Sequence, residues 1–160
     1  MPNKPSFSDL AYKNKKKITR RQRFLEKMDK ILPWEPLLEP ILSKYPKSRR
    51  GRRPVPPKVM LRIYLMQQWY GLSDPAMEES LYDIESMRRF AGVSMQRIPD
   101  ESTICKFRHF LLRHQITEEV FRLAKKCLSE HGLTVSRGKI IEPRLRRVRQ
   151  KADMGKSTER

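Results

Sequence analysis

Several features that mark membrane proteins, secreted proteins and many enzymes are scarce in this sequence. Its two cysteines, Cys105 and Cys127, are too few for a disulfide framework or a zinc site, which favours a reducing compartment. The six glycines are scattered, so the chain has no glycine-rich phosphate loop. No apolar run is long enough for a transmembrane helix, and residues 1–10 lack the apolar core of a signal peptide. We therefore expect a soluble protein of a reducing compartment.

Acidic residues are also in short supply, since 36 Lys and Arg stand against 18 Asp and Glu, for a net charge of +18. The excess lies at the ends: residues 1–53 carry 16 basic and 5 acidic side chains, residues 54–132 carry 11 and 10, and residues 133–160 carry 9 and 3. Such clusters attract polyanions, which release condensed counterions on binding. A membrane-surface helix is disfavoured because the clusters lack an interleaved apolar face. Nucleic acid is the expected partner, and the alternative is a solvated basic arm.

Apolar residues at helical spacing predict an all-α helical bundle. Thr19 and Gln22 have the form of a capping box that opens the first helix. Residues 34–45 predict a short or kinked helix because they contain Pro36 and Pro40. Residues 46–57, with four prolines, predict a loop. Residues 58–70 are apolar around most of the helix, so they predict the central buried element.

A glycine-containing turn after residue 70 precedes Asp74 and Pro75, which are expected to cap and open the next helix, with a break near Asp83. Helix, short turn and helix form a helix-turn-helix-like unit, a pattern that other bundles share. Two more helices are predicted, the first starting near Ser102 and the last ending at Gly132. Residues 133–141 alternate like a strand or hairpin.

These patterns divide the chain into four parts. Residues 1–18 are expected to form a basic flexible arm, and residues 19–132 the helical domain. Residues 133–142 then supply a short strand, and residues 143–160 a disordered basic tail. The expected fold class is therefore all-α, with a strand or hairpin remnant and basic flexible tails.

The residues offer little for catalysis. Cys105 and His109 are four apart on one predicted helix, but no second pair completes a metal site, so no metal is expected. No nucleophile motif is present, and neighbouring carboxylates lie on helix surfaces instead of converging. The chain alone is predicted not to be an enzyme and to use no cofactor.

Five segments nevertheless match one protein family, and they occur in the same order along the chain. They are FSDL at residues 7–10, LPWE at 32–35, GRRPVP at 51–56, the long block from MLRIYL to RRFAG at 60–92, and PDESTICKFRH at 99–109. Together they resemble the N-terminal domain of bacterial insertion-sequence transposases of the IS-five type. The resemblance covers about residues 6–141, and the block at 60–92 is its most distinctive part.

The resemblance implies a helix-turn-helix DNA-binding region that recognises the terminal inverted repeats of a mobile element. In the family, a ribonuclease-H-like domain follows, with an Asp-Asp-Glu triad that binds two divalent metal ions such as Mg²⁺. The resemblance implies that residues 133–142 are the remnant first strand of that domain. The position that matches the first catalytic Asp is Glu142, after which the similarity ends, so Glu142 is expected to be inactive. The chain is thus interpreted as a truncated transposase with a foreign tail, which a frameshift or rearrangement would explain.

The expected partner is double-stranded DNA at the element ends, with intact transposase copies or a second copy of this chain as further candidates and no membrane. The expected location is the bacterial cytoplasm near the nucleoid. Basic residues around the predicted loop are expected to contact DNA phosphates. One face of the predicted helix at 102–114 is expected to contact base edges in the major groove. The first group comprises Arg49, Arg50, Arg52, Arg53, Lys58 and Arg62, and the second comprises Thr103, Lys106, His109 and Arg113.

Three alternatives stay open. The chain could be one half of a transposase assembled in trans with a separate catalytic half. It could be a non-specific basic RNA- or ribosome-binding protein, although its aromatic residues pattern as core and not as a stacking row. It could also be a decayed gene product without a selected function.

Overall fold

The computed structural model describes residues 5–47, 50–136 and 139–141, with side chains up to residue 133. Helices dominate this part of the chain, which confirms the all-α prediction. They are α1 Phe7–Lys13, α2 Arg20–Ile31, α3 Trp34–Leu42, α4 Pro57–Tyr70, α5 Asp74–Asp83, α6 Glu85–Ala91, α7 Glu101–Arg113 and α8 Ile116–Glu130, with a short 3-10 helix at Met95–Arg97.

Helix α4 is the centre of the bundle, as its apolar pattern predicts. It packs against α3, α5, α6 and α7. Seven of its residues are buried, from Met60 through Gln67, so the helix has almost no free face. Pro57 occupies its first turn, where the missing N–H costs no hydrogen bond, and Gly71 ends it at φ +62°. The chain can therefore reverse sharply into α5.

The predicted cap of α2 is half formed. The Gln22 amide donates to Thr19 Oγ1 at 3.1 Å, as the motif predicts. The Gln22 side chain, however, donates to Glu26 at 2.8 Å instead of turning back to the Thr19 amide. The reciprocal bond of the predicted capping box is therefore replaced by an i,i+4 pair along the helix. Leu25 and Met28 still point into the core, as their spacing predicts.

Helix α5 departs from the prediction at its start and agrees with it at its end. The capping residue is Ser73, whose hydroxyl accepts from the Ala76 amide at 3.3 Å, and not Asp74. Asp74 lies in the first turn instead, where its carboxylate is free to bond other elements. The expected break near Asp83 is confirmed, since Ile84 adopts an extended conformation before α6 begins.

Part of the segment predicted to be a flexible arm is helical. Helix α1 buries no residue, yet two contacts with α6 hold it. Asp9 pairs with Arg89 at 2.8 Å, and the same guanidinium lies 4.0 Å from the Tyr12 ring centre. The prediction of a flexible arm is therefore wrong for residues 7–13, because α6 supplies a partner that charge counting cannot reveal.

The last described residues form a two-stranded antiparallel hairpin, which confirms the expected strand or hairpin. Strand β1 (Thr134–Ser136) pairs with β2 (Lys139–Ile141), with Val135 opposite Ile140. Glu142 and the predicted tail at 143–160 lie outside the described residues. None of the helices in the described part is long and apolar enough to cross a membrane.

Candidate nucleic-acid interface

The predicted arginine cluster lies on the loop between α3 and α4. Arg50, Arg52 and Arg53 are exposed, and Arg49 lies outside the described residues. Lys58 is exposed on the first turn of α4, directly after this loop. None of these four described side chains makes a hydrogen bond or ion pair within the part of the chain that the structure describes. Their charges are therefore available to an outside anion. We call residues 50–56 the arginine loop.

A tyrosine fixes the arginine loop to the bundle. The Tyr45 hydroxyl donates to the Val55 carbonyl at 2.5 Å. Its ring centre lies 5.7 Å from that of Phe110 and 6.3 Å from that of Phe107, both on α7. Burial raises the pKa of Tyr45 above its usual value, so the hydroxyl stays a donor at neutral pH. The loop is thereby tied to α7 by one side chain.

Helix α7 presents the basic face that its sequence predicts. Ile104, Phe107 and Leu111 are buried, whereas Lys106, His109 and Arg113 are exposed. At about 100° per residue, the three basic residues lie on an arc that begins next to Phe110. Thr103 is half-buried, and its amide donates to the capping carboxylate of Asp100 at 2.8 Å. The four residues assigned to base reading thus share one helix, with Thr103 the least accessible.

Polar contacts fix α7 against α5. Arg108 donates to Asp74 at 2.9 Å, and the Gln67 side chain donates to the same carboxylate at 2.6 Å. The bond from Arg108 is the largest cause of a lowered pKa at Asp74, opposed by desolvation and assisted by Gln67. The same ion pair raises the pKa of Arg108. A helix anchored at mid-length in this way can present its outer face without shifting.

Arg62 differs from the other residues assigned to phosphate, because its charge is used inside the protein. Its guanidinium donates to the Phe90 carbonyl at 2.8 Å and to Asp29 at 2.5 Å. It also lies 4.2 Å from the Trp34 ring centre, and its side chain is 13% exposed. These contacts argue against the predicted phosphate contact. They give Arg62 the role of joining α4 to α2, α3 and α6.

The structure adds one residue that the sequence analysis missed. Arg97, at the end of the 3-10 helix, lines a groove of about 920 Å³ together with residues of the arginine loop. Arg52 and Arg53 line the same groove, and the lining residues include no carboxylate. Arg97 is exposed and unpaired within the described part of the chain. No local pattern marks it, since it lies more than 40 residues along the chain from Arg52 and Arg53.

The structure brings Cys105 and His109 together, at 3.8 Å between Sγ and Nε2, as their spacing predicts. Among the described residues, no group of three or more His, Cys, Asp or Glu is arranged to hold a metal ion. Burial and the nearby Glu130 raise the pKa of the other thiol, Cys127, which donates to the Ile31 carbonyl at 3.0 Å. We assign neither cysteine a chemical role.

Comparison with known proteins gives one family. The family model described as Transposase domain (DUF772) matches residues 13–110, well over half of the chain. The match begins within α1 and ends near the close of α7, so it includes the arginine loop, the groove and most of the basic face. No solved structure matches the chain significantly.

Proposed function

The chain belongs to the transposase domain family, and we propose that it binds double-stranded DNA at the ends of a mobile element of the IS-five type. The observation that carries the proposal is the arrangement of two exposed basic groups. The arginine loop and the basic face of α7 are joined through Tyr45, which bonds Val55 and packs on Phe110. This connection would let both groups contact one duplex.

The two groups suit different tasks. The arginine loop and Lys58 are long, exposed cations near the bundle surface, which suits contacts with phosphates that carry no sequence information. The face of α7 is one side of a regular helix with Lys106, His109 and Arg113 in register, which suits entry into a major groove. In this arrangement α4, the turn at residues 71–73 and α5 form a helix-turn-helix-like support.

The proposal also predicts no strand cleavage by the chain alone. The resemblance implies that the metal-binding carboxylates belong to a domain that follows the helical region, and Glu142 stands where the first catalytic Asp is expected. We therefore expect end-labelled duplex DNA to stay intact with this chain and Mg²⁺. Cleavage that requires a second protein would instead support assembly in trans.

The direct test is fluorescence anisotropy with a duplex from the flanks of the chain's own gene and a shuffled duplex, over a range of salt concentrations. We expect a preference of at least about 100-fold for the flank duplex that persists at physiological salt. Replacing Arg52 and Arg53 with Ala should weaken binding to both duplexes and reduce the salt slope by about 1.8. Replacing Lys106 and Arg113 with Ala should remove most of the preference.

The matched control replaces Lys125 and Lys126 with Ala. Both are exposed on α8 and carry the same total charge as either test pair. The control should retain affinity, preference and salt slope. If all three double variants weaken binding equally and wild type does not distinguish the duplexes, binding follows total charge and the proposed site is wrong.

A further inference from the structure

The groove between the arginine loop and the 3-10 helix combines charged and apolar side chains in a way that the family assignment does not explain. Its rim holds three exposed arginines, Arg52, Arg53 and Arg97. Its floor is aliphatic and includes the half-buried Val55, Val59 and Val93. Cations on the rim and carbon on the floor form a surface that suits a ligand with anionic and apolar parts.

We propose that this groove seats one sugar-phosphate strand of duplex DNA, with Arg97 as a direct phosphate contact. This inference rests on the proposed DNA binding and extends it to a residue outside the predicted cluster. The guanidinium fork matches phosphate oxygens, and Arg97 has no internal partner in the described part of the chain to compete for it. The valine floor would contact deoxyribose carbons.

The lining argues for a duplex strand over single-stranded nucleic acid. Grooves that bind single strands combine positive charge with aromatic side chains on which bases stack. The residues that line this groove include no aromatic side chain. The groove could therefore contact the sugar-phosphate backbone of a strand but could not stack on its bases. Such contacts suit a strand of a duplex, because its bases are paired and face away from the protein.

The position of the groove relates it to the base-reading face. Arg97 precedes Asp100, the capping residue of α7, by three residues. Val55, which also lines the groove, accepts the hydrogen bond of Tyr45, whose ring packs against α7. Asp100 and Glu101 are exposed and make the start of α7 itself acidic, so a phosphate should favour the arginine rim over the helix end. The groove would thus hold a strand beside α7.

The test compares Arg97→Ala with Arg122→Ala, using the full chain and the flank duplex. Arg122 is an exposed arginine of α8 with no internal partner in the described part of the chain, so both variants lose one equivalent charge. We expect Arg97→Ala to raise Kd roughly tenfold at physiological salt and to lower the salt slope by about 0.9. Arg122→Ala should leave the slope unchanged, and both variants should melt like wild type.

Phosphate ethylation interference supplies a second measurement that does not depend on overall affinity. One phosphate should block wild-type binding when ethylated and lose that effect in Arg97→Ala.

If wild type binds and Lys106 and Arg113 matter, but Arg97→Ala behaves like Arg122→Ala, the groove proposal fails and the proposed function stands. If wild type does not bind duplex DNA, both fail. Tighter binding to single strands than to duplex would also overturn the groove proposal.

Discussion

Replacing Arg62 tests most sharply whether a basic residue of α4 serves stability or DNA. Its guanidinium satisfies the Phe90 carbonyl, one of the last carbonyls of α6, which has no partner within its own helix. It also stacks near Trp34 and pairs with Asp29. Arg62→Ala removes all three contacts and leaves the carbonyl without this donor.

The expected loss follows from the contacts. A hydrogen bond from a charged donor contributes about 1.5–3 kcal/mol. A partly buried cation–π contact adds roughly 0.5–2 kcal/mol. The pair with Asp29 adds at most about 1 kcal/mol, because that carboxylate is 47% exposed. Since these contributions share one side chain and are not additive, we expect Arg62→Ala to lower the free energy of unfolding by about 2–4 kcal/mol.

Urea denaturation followed by circular dichroism measures this loss, with Lys58→Ala as the control from the same helix. Lys58 is exposed and unpaired in the described part of the chain, so its loss should change stability by less than about 0.5 kcal/mol. Arg62→Lys should lose most of the stability that Arg62→Ala loses. A lysine ammonium cannot stack on Trp34 while it donates to both the Phe90 carbonyl and Asp29, as the planar guanidinium does. Wild-type stability in Arg62→Ala, together with weakened DNA binding, would refute the reasoning and restore the phosphate role.

Two further predictions concern the supports of α7. Asp74→Asn should lower stability at neutral pH by roughly 1–2 kcal/mol, since the ion pair with Arg108 is partly buried. The pKa of Asp74 is lower in the folded state, so its contribution is present above the unfolded pKa near 3.9 and is lost as pH falls through the folded pKa. Unfolding curves from pH 6 to 2 should therefore fall less steeply for the variant, and parallel curves would contradict this. Tyr45→Phe keeps the ring but removes the bond to Val55, at a cost of about 0.5–1.5 kcal/mol. Trypsin should then cleave the arginine loop faster than in wild type, and an unchanged rate would show that the hydroxyl does not restrain it.

Much of the fold is predictable because local rules govern it. The apolar run of α4, the cap at Thr19, the turn at Gly71 and the break near Asp83 each depend on a few neighbouring residues. Periodicity of the same kind places Lys106, His109 and Arg113 on one exposed face. Local rules fail by one residue at the start of α5, where Ser73 and Asp74 compete for the cap.

The sequence by itself determined the helical class, the buried centre, the excess of positive charge and the basic face of α7, because charge and periodicity are properties of the chain. Only the tertiary structure decided which of those charges are free. Arg62 and Arg89 look like surface cations in sequence, yet carbonyl, carboxylate and aromatic partners from distant helices engage them. Arg97 looks isolated in sequence, yet it lines one groove with Arg52 and Arg53. Packing creates these relationships between residues far apart in the chain, and no local pattern records them.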